Sequence, residues 1–194
     1  MSFYQIISVL ILLVFYGSYF AKKLSQKRKG IRTTQIGVGK AGLSRTVEIL
    51  MGVASVMVPA MEAAGIIRNR TQSPEWLRMA GVLTAVLGNI SFLAGMLTMR
   101  DSWRAGVSKD KTALVTRGIF RISRNPAFLG FDLVYLGILF QFFGWTLCIV
   151  SLFAILMFHL QIVFNEEEAM LRAFGEEYLD YRKRVNRYLG RKRQ

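Results

Sequence analysis

Charged residues leave five long stretches of this sequence nearly empty. Residues 3–21 carry no charge at all, and as a helix they would cover roughly 28 Å, about the hydrocarbon thickness of a bilayer. A cleaved leader would want a basic residue ahead of the apolar run and a small-x-small site behind it. Here no basic residue precedes Phe3 and Lys22-Lys23 follow directly, so a retained span is expected. Residues 49–67 form a second run, with Glu62 and Pro59 inside it, and 79–99 a third. Along the third, Gly81, Gly88 and Gly95 recur every seven residues, close to one helical face, where small residues let a neighbouring helix approach. Runs at 127–143 and 146–164 are separated only by Gly144-Trp145, which predicts a tight antiparallel hairpin with Trp145 as an interfacial anchor. After them Leu171, Phe174, Tyr178, Tyr181, Val185 and Tyr188 follow at spacings of three and four, an amphipathic helix with an aromatic stripe. The expected fold is all-α and polytopic: five transmembrane helices and a cytosolic C-terminal amphipathic helix.

Composition supports segregation of charge rather than a soluble basic protein. The 194 residues are 53% hydrophobic, too apolar for disorder, and the single Cys148 excludes a disulfide scaffold. Lys and Arg number 26 against 12 Asp and Glu, a net charge of +14 that would ordinarily suggest nucleic acid. Counting by segment gives eight basic residues in 22–48, seven in 100–126 and eight in 165–194, against three in 68–78. An odd number of spans with the N-terminus outside puts the three rich segments on the cytosolic face, as the positive-inside rule requires. Their partners are then anionic headgroups; with no base-stacking pattern interleaved, nucleic acid is not expected.

Gly37-Val38-Gly39-Lys40-Ala41-Gly42 spells a dinucleotide fingerprint, but a basic stretch rather than a buried strand precedes it, so it reads as a loop. His159 stands alone, no metal site is expected, and an interhelical hydrogen bond is its simplest use. Cys148 reads as a small apolar filler. Glu62 and Asp132 are acids inside spans, where a charge is costly and functional by default; Asp132 also lies about two turns from Arg124, within reach of a structural ion pair.

Chemistry concentrates after residue 110. Arg117, Arg121 and Arg124 collect at the entry to the fourth span, and Pro126 suits the first turn of a helix whose free N–H groups favour anions. Glu166-Glu167-Glu168 follows the fifth span, and half of all the acidic residues fall between Glu166 and Asp180. Acids stabilise a first helical turn, but three beside an arginine-rich mouth suggest paired charges or a cationic ligand.

The pattern Leu114-Val115-Thr116-x-Gly118-x-Phe120, Arg124-Asn125-Pro126-x-Phe128-x-Gly130, Glu167-Glu168-x-x-Leu171 and Phe174-Gly175-Glu176-Glu177-Tyr178-x-x-Tyr181 resembles the isoprenylcysteine carboxyl methyltransferase family, to which phospholipid methyltransferases are related. The resemblance implies an integral-membrane enzyme using S-adenosylmethionine, with 1–111 as an N-terminal three-span region and 112–194 as the catalytic region. It implies cofactor contacts from Thr112, Ala113, Leu114, Val115, Phe120, Asn125, Pro126, Ala127, Phe128 and Glu167. This chain departs from the family at Asn125, where a histidine is usual, at Phe120 and Phe128, where tyrosines are usual, and at Val163, where eukaryotic members carry an arginine.

The expected reaction is methyl transfer to a membrane-embedded, lipid-linked acceptor, with a prenylcysteine-type carboxylate leading and an amine headgroup second. Arg124 or Arg121 would hold the acceptor carboxylate bidentately, with Glu168 beside them as the third catalytic candidate, and Glu167 would take the ribose hydroxyls or the ammonium. A non-enzymatic membrane subunit or carrier is the reading from another class; it predicts no cofactor binding.

Overall fold

A computed structural model describes residues 1–30, 42–103 and 113–192. Among them every regular element is helical: α1 (Phe3–Arg28), α2 (Gly42–Arg68), α3 (Glu75–Met99), α4 (Pro126–Gln141), α5 (Trp145–Gln161) and α6 (Glu167–Arg184). The fingerprint-like loop lies outside the described residues except for Gly42, as does Thr112.

The apolar runs became helices at their expected places, and polar residues extend several of them. Ser2 caps α1 reciprocally with Gln5, and the helix runs past its apolar run to Arg28. Four helical stretches are long and apolar enough to cross a membrane, starting at Phe3, Gly42, Glu75 and Trp145. They mark the chain as an integral membrane protein. α4 is equally apolar but has 16 residues, about 24 Å at the usual rise and short of a ~30 Å core.

Polar contacts between helices fix their alternating directions. At one end Gln5 of α1 donates to Ile66 O of α2 (2.8 Å), and Ser8 Oγ donates to Gln141 at the end of α4 (2.8 Å). At the other end Gln26 donates to Trp103 O (2.7 Å), and Gln161 of α5 donates to Glu48 of α2 (3.2 Å). The second end, holding the start of α4, is where the candidate site residues gather.

α4 packs chiefly against α3 along a seam of facing glycines. A Cβ on Gly81 would sit 2.6 Å from Gly137 O, and one on Gly88 would sit 2.8 Å from Gly130 O. Gly95 completes the seam against Pro126, whose carbonyl accepts from Ser91 Oγ at 2.7 Å. Because the backbones touch, this pairing joins the two halves of the chain that the motifs divide at 111/112. α5 packs chiefly on α2, and it meets α4 through Phe158, which lies against Phe128, Phe131 and Tyr135.

Two expectations near the C-terminus are corrected. The aromatic stripe is not one continuous helix: α6 kinks at Gly175 (φ 49°), a left-handed conformation suited to glycine, and ends at Arg184. Tyr188 belongs to an irregular segment folded back by the Val185–Arg191 bridge. Tyr178, Tyr181 and Val185 are buried around Phe120, whereas Leu171 is exposed.

Candidate active site

A π-helical turn, Ile162–Glu166, separates α5 from α6 and aims the next residue, Glu167, inward. Such turns are rare and concentrate at functional sites. Polar side chains from α2 hold this one. Asn165 donates to Gln161 Oε1 (2.7 Å) and Ser44 O (3.4 Å), the Ser44 hydroxyl donates to Asn165, and Gln161 Nε2 reaches both Glu166 (3.1 Å) and Glu48.

Glu167 meets two guanidinium groups. Arg124 Nη2 stands 3.0 Å from Oε1, with the two side chains 5% and 9% exposed. Arg187 is bidentate, Nε to Oε1 at 2.7 Å and Nη2 to Oε2 at 3.1 Å. Burial pushes the Glu167 carboxyl up, but the Arg187 hydrogen bonds and the two arginine charges outweigh it and hold it below the ordinary glutamate range. Arg124 also donates to Tyr178 Oη (2.8 Å).

The segment after α6 closes the arrangement. Arg124 N–H donates to Asn186 O (3.2 Å), Gly190 N–H to Ile122 O (2.7 Å), and Asn125 Nδ2 to Arg187 O (3.1 Å). Asn125, at the usual histidine position, thus orients the backbone that carries Arg187. Tyr188 Oη pairs with His159 Nδ1 at 2.8 Å, the rings stacked with an interplanar angle of 20°. His159 therefore bonds across to this segment rather than to another helix. Burial and then the Asp132 charge push the Tyr188 phenol up to about 12.

The remaining sequence candidates sort by position. Pro126 opens α4 at its first turn, and Phe128 packs on Phe158 at 5.6 Å. Ala127 is half-buried beside them. Phe120 is buried and its carbonyl accepts from Tyr181 Oη at 2.7 Å, with half-buried Leu114 and Val115 packed on the same cluster; Ala113 is exposed. Glu168 faces solvent in an ion pair with Arg172 of α6. Arg121 is exposed and lines a separate depression with Arg117, Arg184 and Arg191. The anticipated Asp132–Arg124 pair does not form: Glu167 takes Arg124, and Asp132 Oδ1 is buried with no hydrogen-bond partner. Arg187 escaped the sequence reading, and Tyr188 entered it only as part of the aromatic stripe. Nothing in a basic tail distinguishes one arginine from its neighbours.

Among the described residues no cluster of three potential metal ligands occurs. The mouth instead offers a buried carboxylate held by two guanidiniums, a phenol–imidazole pair and an aromatic wall. Arg124, His159 and Glu167 of this arrangement lie in a segment that matches known proteins, whereas Arg187 and Tyr188 lie beyond it. Residues 76–177, just over half of the chain, match the phospholipid methyltransferase family, and the chain belongs to that family. Similar proteins include the protein-S-isoprenylcysteine O-methyltransferases of Mus musculus, 30% identical over 113 residues, and of Homo sapiens, 31% identical over 114. Each alignment covers 57% of this chain, and the chain spans 40% of the length of either relative.

Proposed function

We propose that this chain transfers a methyl group from S-adenosylmethionine to a membrane-embedded, lipid-linked acceptor, the carboxylate of a prenylcysteine-type substrate. The observation that carries the reading is the Arg124–Glu167–Arg187 cluster, which draws two of the motif segments and the chain's last turn into one buried centre. The names of the relatives supply the acceptor class.

The residues at the mouth suit the donor. Two buried polar atoms there have no protein partner, Arg124 Nε and Asp132 Oδ1. Asp132 Oδ1 seeks a cation or donor, which S-adenosylmethionine carries, and Arg124 Nε is left for an anion such as the acceptor carboxylate. When bound, it supplies a methyl already activated on a sulfonium. Glu167 would take its ribose hydroxyls or ammonium, and Asn125 and Phe128 would border it. A carboxylate acceptor is already a competent nucleophile, so the protein's task is orientation and exclusion of water rather than proton removal. Arg124 would hold that carboxylate, its guanidinium fixed by Glu167 and Tyr178. The N-terminus would lie outside and the site on the cytosolic side, where the basic segments fall.

The test is transfer of labelled methyl by the purified chain in detergent to N-acetyl-S-farnesylcysteine or to phosphatidylethanolamine. Base-labile label on the prenylcysteine is expected. Base-stable label on the amine alone would move the acceptor to phospholipid. No transfer to either, with no binding of S-adenosylhomocysteine, would overturn the reading.

A further inference from the structure

Outside the Glu167 centre, four arginines gather on a concave surface. Thr116, Arg117 and Arg121 from the segment before α4 face Tyr181, Arg184, Val185 and Arg191 across a depression of about 370 Å³. Its volume is that of a small-ligand cleft, at the low end of the roughly 300–1,000 Å³ range. Among the described residues four guanidiniums line it and no carboxylate does. Among the described residues none of the four forms an ion pair; Arg184 Nε donates only to the carbonyl of Asp180. The floor is rigid: Tyr181 and Val185 are buried with Phe120 and Tyr178, and Tyr181 Oη is spent on the Phe120 carbonyl.

Arginines that orient a membrane protein reach separately into the headgroup layer. Here four of them, from segments more than sixty residues apart in sequence, converge on one hollow. Holding like charges together costs free energy that an anion in the middle reverses. We propose that this depression binds a phosphate monoester group. Guanidiniums engage phosphate through paired N–H donors, the Thr116 hydroxyl adds a neutral donor, and a near-dianion answers four positive charges better than a carboxylate does. The phosphate can come from the headgroup of phosphatidic acid at the membrane face or from a soluble phosphate. Either would bridge the Gly118–Arg121 turn to the segment after α6, the same two pieces that hydrogen bonds join beside Arg124.

The test uses the full chain in neutral detergent, with two probes at matched ionic strength: phosphatidic acid in phosphatidylcholine mixed micelles, and inorganic phosphate. Saturable binding is read by native mass spectrometry for the lipid and by the thermal unfolding midpoint for both. We expect Arg184→Gln/Arg191→Gln to weaken binding about tenfold or more, the loss expected when two charge-assisted contacts go. Arg184→Lys/Arg191→Lys, which keeps the charge but not the fork, falls between. Arg117→Gln attacks the opposite wall and weakens binding as well, so the result does not hang on one variant's fold. Lys23→Gln/Lys27→Gln on α1 removes the same charge elsewhere and leaves binding intact. Site-dependent binding of phosphatidic acid alone assigns the lipid as source, and equal binding of inorganic phosphate assigns a soluble one. No saturable binding of either probe, or equal losses in the α1 control and the site variants, overturns the proposal.

Discussion

Alanine at Gly88 and alanine at Gly52 should have opposite consequences, and their difference isolates the α3–α4 seam. Both glycines lie inside helices, at ordinary backbone angles, so replacement by alanine favours the helix by up to about 1 kcal/mol in each case. At Gly52 the new methyl meets nothing within 4 Å. At Gly88 it would lie 2.8 Å from Gly130 O and from Val134 N, and 2.9 Å from Val134 Cγ2. Two of those three atoms are backbone, so relief requires the helices to separate by roughly 0.7 Å to restore ordinary contact. Overpacking of this kind costs about 1–3 kcal/mol. The propensity term cancels between the variants, leaving Gly88→Ala less stable than Gly52→Ala by about 1–3 kcal/mol, at roughly 2–4 °C of midpoint per kcal/mol. Thermal unfolding in one detergent measures the gap. Binding of S-adenosylhomocysteine should weaken in Gly88→Ala as well, because α4 begins at Pro126, one residue beyond Asn125. If Gly88→Ala unfolds at or above the midpoint of Gly52→Ala, the close backbone approach is wrong.

Three further outcomes follow from the site. Glu167→Gln leaves Arg124 and Arg187 facing one another without an anion, and breaking a buried pair in this way costs about 3–5 kcal/mol. Since the Glu167 carboxyl is held below its ordinary value, its contribution is fully present above the unfolded pKa of about 4.3 and is lost as pH falls through the folded value. The midpoint gap between wild type and Glu167→Gln should therefore close under acid; a gap unchanged at pH 3 would refute it. Arg187→Gln should destabilise less than Glu167→Gln, because Glu167 keeps Arg124; thermal midpoints ranked the other way would overturn that reading. Tyr181→Phe removes the donor to the Phe120 carbonyl and should lower stability by about 1 kcal/mol in denaturant titration, and no loss would mean water replaces it.

The helices were legible because long runs without charge allow little else, and the period of Gly81, Gly88 and Gly95 identified the face that meets a partner. Which partner it meets was not legible. Gly130 and Gly137 repeat the seven-residue spacing, but α4 is apolar on every side, so the sequence does not say that their face is the one that meets α3. Spacing also misled at Tyr188, where the three-and-four rhythm continues although the chain leaves the helix at Val185. Of the arginine mouth and the acidic triplet, the structure brings together Arg124 and Glu167, while Glu168 pairs with Arg172 and Arg117 and Arg121 lie in a separate depression. Local sequence could not say which acid would win Arg124, because the choice was made by Glu167, delivered from 43 residues away by a π turn that no residue type announces.

The glycine seam also bears on traffic within the bilayer. Helices whose backbones touch leave no cleft between them wide enough for a hydrocarbon tail, so the α3–α4 boundary is a sealed wall down the length of α4. The acceptor proposed above would then reach the mouth of α4 from a side other than the α3 seam.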